Sequence, residues 1–253
     1  MLMPYRFTNR LISTVIAFAI QTAIVDSAGW SAARPDLSSH NEVIGRNRVI
    51  QTTPTVSLPP FSEPFSPTIV PLTGGEYLTK WRLVELKIRS EIETLDRCRT
   101  TLEFCPPSAQ DFLAIITEGR ERSGLAGIGV INRAINLAIK PMSDLAQWGV
   151  IDRWSTPLET FTTRRGDCED YAIAKYVPLK QAGVDDEDLR LIIVRDLVVS
   201  ENHAIVAARW GGKWFILDNR WLALVEDNEM HRLRPLFVLN NDSVRQYITA
   251  VTN

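Results

Sequence analysis

Two adjacent glycines, Gly211 and Gly212, constrain the fold of this chain more than any other pair of residues. They separate two apolar runs, His203 to Trp210 and Lys213 to Asp218. A two-residue Gly-Gly loop between such runs is a strong hairpin signal. With that loop length, Trp210 faces Lys213, Ile205 faces Asp218 and His203 faces Arg220. Strand residues two apart share a face. His203 and Asp218 are therefore diagonal neighbours on one face, roughly 6–8 Å apart between Cα atoms. A slip of one residue would send them to opposite faces.

A third run, Leu189 to Val199, is rich in Val, Ile and Leu and reads as a buried strand. Upstream the period is helical. Trp81, Val84, Ile88, Ile92 and Leu95 fall on one face. A second helix is expected from Asp111 to about Glu121, and a third from Gly127 to Lys140, stopped by Pro141. Asn132 and Asn136 lie four apart on one face of that third helix. In Thr156-Pro157-Leu158-Glu159 the threonine can cap, the proline suits the first helical position, and the glutamate completes a capping box. A further helix begins after Asp167 and runs through Ala172, Ala174 and Leu179 to Gly183, a C′ residue. Helices first and an antiparallel sheet after them make the class α+β.

Residues 1–33 read as an export signal. Arg6 and Arg10 supply the charge, Leu11 to Val25 the apolar stretch, and small residues follow, with cleavage after Ser27 or Ala33 both compatible. An uncleaved membrane anchor is the competing reading of the same stretch. Residues 34–75 carry Pro54, Pro59, Pro60, Pro64, Pro67 and Pro71, which interrupt any helix or central strand. They read as an extended arm on the domain or a linker from the membrane. Residues 76–253 form the domain proper. With 45% hydrophobic and 23% charged residues the chain can bury a real core. A net charge of −2 with no basic block argues against nucleic acid as a partner.

Export places the chain where disulfides persist. Of the three cysteines, Cys98 and Cys105 are close in sequence and are paired here, leaving Cys168 free; two reduced, buried thiols are the alternative. Cys168 follows Gly166-Asp167 at the start of a helix, where backbone N–H groups and the helix dipole favour a thiolate. Gly166 leaves room for a substrate to approach. Only three histidines exist, His40, His203 and His231, and His203 with Asp218 can serve as base and orienting group. The backbone N–H of Cys168 is a candidate oxyanion donor, helped by the indole of Trp154 or Trp148. Asp167, Glu169 and Asp170 would raise the thiol pKa if left bare. Arg164 and Arg165 can offset them, or a bound cation, and clustered hard oxygen ligands suit calcium; simple capping of a first helical turn by acids is the plainer reading. The acidic run Asp185-Asp186-Glu187-Asp188 reads as a solvated turn.

The stretches Asp152 to Pro157, Gly166-Asp167-Cys168-Glu169-Asp170-Tyr171-Ala172, Asn202-His203-Ala204 and Leu217-Asp218-Asn219 resemble the bacterial transglutaminase-like cysteine proteinases. The resemblance covers residues from about 76 to 225. It implies a papain-like, transglutaminase-type core, with Cys168 as nucleophile, His203 as general base and acid, and Asp218 as orienting carboxylate. It further implies calcium beside the active site, mapped onto Asp167 and Glu169 with Asp170 as an addition. Characterised members cut a large surface adhesin near its N-terminus at paired alanines and are restrained by an inner-membrane receptor for cyclic di-GMP. A periplasmic, calcium-assisted endopeptidase of biofilm function is thus the leading expectation. Acyl transfer to an amine, as in a transglutaminase or amidase, and a non-catalytic binding module on the same fold are the alternatives.

Overall fold

The computed structural model describes residues 62–101, 103, 105–241 and 243–248. Residues 1–33, read from sequence as an export signal, His40 and the larger part of the proline-rich stretch lie outside the described residues.

The chain begins with β1 (Thr68–Pro71) and continues through α1 (Glu76–Thr100), α2 (Pro107–Glu121) and α3 (Leu125–Ala138). The short β2 (Lys140–Pro141), α4 (Asp144–Trp148), α5 (Pro157–Thr163) and β3 (Arg165–Gly166) lead to α6 (Cys168–Ala182). Then come β4 (Leu189–Asp196), β5 (Glu201–Trp210), β6 (Lys213–Leu217), β7 (Val225–Glu226), β8 (Leu233–Asn240) and β9 (Ser243–Ile248). Seven strands form one antiparallel sheet in the order β1-β9-β8-β4-β5-β6-β7, and β2 pairs with β3 in parallel. The class is α+β, as the switch of hydrophobic period implies.

The two faces of the sheet do different work. Leu191, Ile193, Ala204, Val206 and Ala208 pack against the helices, including Trp81 of α1, Phe112 of α2 and Ile173 of α6. Ile192, Val194, Ile205, Ala207 and Ile216 point the other way. That second face is covered by chain rather than by helix, through Phe65, Ile69, Trp221 and Val225. Residues 62–71, read from sequence as part of an extended arm, are tied down here. Thr68 pairs with Ile248 on the edge strand β9, Glu63 accepts from Arg190 at 2.8 Å, and Trp214 donates its indole N–H to the Ser62 carbonyl at 2.7 Å. Proline is tolerated in such a strand because an edge leaves one row of N–H groups unpaired.

Most element boundaries follow the sequence signals, and the differences have local causes. Helix α2 starts at Pro107, four residues before the expected start, because proline suits a first helical turn. Strand β4 stops at Asp196, and Leu197 to Ser200 make the turn to β5. Gly183 adopts φ 103° at the end of α6, as a C′ glycine should. The Gly211-Gly212 hairpin has the expected register, with Trp210 opposite Lys213 and Val206 opposite Leu217. Cys98 and Cys105 form a disulfide between the end of α1 and the approach to α2.

The capping box at α5 is complete. Thr156 Oγ1 accepts from the Glu159 N–H, and the Glu159 carboxylate accepts from the Thr156 N–H at 3.1 Å. The same hydroxyl donates to Glu91 of α1, which also accepts from the Leu158 N–H at 3.0 Å. This knot ties the start of α5 to α1, one short helix before β3 and the start of α6 at Cys168. Thr156→Ala should cost about 1–2 kcal/mol of stability in urea unfolding, while Thr156→Ser, which keeps the oxygen, should stay within about 0.5 kcal/mol of the parent.

Candidate active site

Helix α6 is the central element of the site. From Asp170 to Leu179 every residue is buried, so the helix has no polar face and its N-terminus is delivered to one end of the sheet. Cys168 is its first residue. The sulfur lies beside the backbone N–H of Ala204, the residue after His203 on β5, and donates to Glu169 Oε2 at 2.9 Å. Burial, followed by the Glu169 carboxylate, holds the thiol well above its ordinary range. Cys168 is the free cysteine among the described residues.

His203 and Asp218 meet as the hairpin register requires. His203 Nε2 and Asp218 Oδ1 are 3.0 Å apart, and both side chains are buried. Burial by itself would raise the Asp218 carboxyl; the hydrogen bonds from His203 and Arg220 outweigh it and hold the group well below the usual carboxylate range. Arg220, placed opposite His203 by the extended register, instead curls back once the chain leaves β6 at Leu217. Its Nε lies 3.1 Å from each Asp218 oxygen and its Nη2 2.7 Å from Oδ2. Asn136 of α3 donates to the Asp218 carbonyl at 2.9 Å and to the Trp221 carbonyl at 2.8 Å, and Asn132 reaches the Trp221 and Leu222 carbonyls. The two asparagines on one helical face thus pin the loop that carries Asp218. His231 is exposed on the approach to β8, away from this pairing.

The carboxylates gather differently from the sequence expectation. Asp144, Asp167 and Asp170 each offer an oxygen, and the three oxygens lie within 4.8 Å of one another. Glu169 is not one of these three; its carboxylate accepts from the Cys168 sulfur and neighbours Asp167. Asp144 carries no sequence signal of its own, being 23 residues upstream of Asp167. Topology brings it in. The parallel β2–β3 pair sets Pro141 beside Gly166, and Met142 N–H donates to the Gly166 carbonyl at 2.9 Å, so the next few residues run alongside Asp167. Gly166 is required by this packing, since a Cβ there would sit 2.7 Å from Asp170 Oδ2.

The donor set fits a hard cation. Two oxygens bound to one calcium at about 2.3–2.6 Å can be up to ~5 Å apart, which the group satisfies. Asp167 makes no side-chain capping bond, and Asp167 Oδ1 and Asp170 Oδ2 are buried without a hydrogen-bond partner. Burial, then the charges of Glu169, Asp170 and Asp144, raises the Asp167 carboxyl to about 8. Burial raises Asp170 to about 7, against the N–H of Ser155, which donates to it at 2.7 Å. The arginines expected to offset this charge do not supply it: Arg164 pairs with Asp111 and lies over Phe161, and Arg165 is exposed. The indole N–H groups of Trp148 and Trp154, the suggested oxyanion donors, are both buried without an acceptor. The acidic run is a short turn whose Asp186 pairs with Lys180 and whose Asp188 pairs with Arg209.

Residues 92–230 match the family model of the bacterial transglutaminase-like cysteine proteinases, more than half of the chain. Among solved structures the fold is similar to LapG of Legionella pneumophila, with a TM-score of 0.51 at 19% identity over 61% of this chain and 86% of that one. Its calcium-bound form gives 0.52 at 18% identity over 64% and 92%, and its EGTA-treated form gives 0.52 at 19% over 62% and 85%. No curated protein matches by sequence. A fold of helices on an antiparallel sheet, shared with LapG, and a family match from within α1 to just past β7 have one reading: the chain belongs to the bacterial transglutaminase-like cysteine proteinases and is a cysteine peptidase.

Proposed function

We propose that the chain is a periplasmic cysteine endopeptidase acting through Cys168, His203 and Asp218, with calcium beside the site. The observation that carries this reading is the 3.0 Å contact between His203 Nε2 and Asp218 Oδ1, next to a cysteine at a buried helix N-terminus. Asp218 occupies Nε2, which leaves Nδ1 to take the thiol proton. The Cys168 sulfur then attacks the peptide carbonyl, with the backbone N–H of Cys168 as oxyanion donor. The imidazolium returns its proton to the leaving amine, and a thioester remains. His203 next removes a proton from water, which attacks the thioester and releases the acid and the free thiol.

Asp144, Asp167 and Asp170 would hold the calcium ion. Bound there, it supplies positive charge that offsets the carboxylates around the sulfur and favours the thiolate. The substrate in this proposal is a protein, and by the family resemblance a large surface adhesin; an inner-membrane cyclic di-GMP receptor is the corresponding regulator. Export by residues 1–33 would bring the enzyme to both.

Cys168→Ala should leave the unfolding temperature nearly unchanged and reduce peptide cleavage by about a thousandfold or more; comparable cleavage by the variant would remove Cys168 as the nucleophile. Calcium should also act with a defined sign. Asp167 at about 8 and Asp170 at about 7 mean that the folded chain binds more protons than the unfolded chain from ~4 upward. Metal-free stability therefore falls as pH rises across that window. Calcium displaces those protons, so its binding strengthens over the same range. The rise in unfolding temperature on adding calcium should be larger at pH 8 than at pH 6, and Asp170→Asn should abolish it. An equal rise at both pH values, or in the variant, argues for binding elsewhere.

A further inference from the structure

We infer that Arg220 is a positioning residue for the peptidase reaction, holding Asp218 in line with His203 while sharing its charge with a second carboxylate, Asp196. The inference rests on the assignment of His203 as base and Asp218 as its orienting group. Four contacts join Arg220 to Asp218. Its backbone N–H reaches Oδ1 at 2.9 Å, its Nε reaches Oδ1 and Oδ2 at 3.1 Å each, and its Nη2 reaches Oδ2 at 2.7 Å. The remaining arm, Nη1, reaches Asp196 Oδ2 at 2.8 Å. Asp196 ends β4, is buried, and is itself fixed by the Val198 N–H at 2.9 Å on its other oxygen. The planar guanidinium thus spans two immobile carboxylates, and a fork of this kind sets orientation as well as charge.

The consequence for the reaction is twofold. Asp218 is prevented from rotating away from the imidazole, since both of its oxygens are engaged. Its negative charge is also partly neutralised, so it stabilises the His203 imidazolium less than a bare carboxylate would. Asp196 works in the opposite direction by drawing the guanidinium toward itself. The other charged or titratable groups around this pair are Cys168, Glu169 and Lys175 on α6 and Arg232 on the approach to β8. Lys175 lies within 3.5 Å of the Leu217 carbonyl and feels the Asp218 charge, and Arg232 lies 3.8 Å from Asp196. Arg220 engages both carboxylate oxygens of Asp218.

The test uses the full chain in calcium-containing buffer with two readouts. One is cleavage of a dye-quenched peptide containing an Ala-Ala bond. The other is proton NMR titration of the His203 ring in a Cys168→Ala background, which requires no substrate. Arg220→Gln should lower kcat by about 10–100-fold with little change in KM, and should raise the His203 pKa by about one unit. Arg220→Lys, which restores charge without the fork, should return the His203 pKa toward the parent value and leave most of the kcat loss in place. Asp196→Asn leaves the Arg220–Asp218 contacts intact and should shift the His203 pKa downward; it carries the test if Arg220→Gln fails to fold. The inference is overturned if Arg220→Gln keeps kcat within twofold, or if the His203 pKa is the same in all three variants. If Cys168→Ala still cleaves, the peptidase assignment itself fails; if that variant is dead and Arg220→Gln behaves like the parent, only the role of Arg220 fails.

Discussion

The burial of helix α6 is the constraint from which the rest of this molecule follows. A helix enclosed between a sheet and three other helices cannot expose a polar face, and from Asp170 to Leu179 this one does not. Its apolar residues supply packing energy of about 1.5–3 kcal/mol for each large side chain. Its polar residues are obliged to find partners inside the protein. Asp170 takes the Ser155 N–H, Tyr171 donates to the Ile139 carbonyl at 2.6 Å, and Lys175 reaches the Leu217 carbonyl. Each partner is a backbone group on a different element, so the helix is fixed in translation and rotation together. The cysteine at its tip inherits that position.

Burial also sets the electrostatics. Charge taken out of water must be compensated or neutralised, and the two halves of the site answer in opposite ways. At Asp218 the compensation is present in the chain: His203 and Arg220 together overcome the desolvation and keep the carboxylate ionised. At Asp144, Asp167 and Asp170 the carboxylates mainly face one another, and two of them take values near neutrality. The first arrangement is complete in itself; the second has the chemistry of a site that completes itself with a cation. The sulfur lies beside the Ala204 N–H on the hairpin and feels the Asp167 charge.

Several parts of this were legible from residues alone because their causes are local. The Gly211-Gly212 loop determines a register, and register determines which side chains face each other, so the His203–Asp218 contact could be anticipated without coordinates. The capping box at Thr156 and the C′ glycine at 183 are likewise short-range devices. Asn132 and Asn136 could be placed on one helical face, though not matched to the Asp218 loop they hold, since that loop is more than eighty residues away. Arg220 was assigned a place opposite His203 by continuing the strand, and the chain turns before it gets there. Glu169 and Asp170 are adjacent in sequence and equally acidic; Asp170 joins Asp144 and Asp167, whereas Glu169 accepts from the sulfur while neighbouring Asp167.

The amino-acid order by itself determined the α+β class, the pairing geometry of the Gly211-Gly212 hairpin and the family to which the chain belongs, because hydrophobic period, turn chemistry and short motifs act over a few residues. Only the tertiary structure decided that Asp144 joins Asp167 and Asp170, that Gly166 makes room for Asp170, and that Arg220 bridges Asp218 to Asp196. Those are contacts between segments whose approach depends on a parallel two-residue ladder, a buried helix and a turn after β6. No local pattern encodes such an approach; it is set by which apolar surfaces must be covered at the same time.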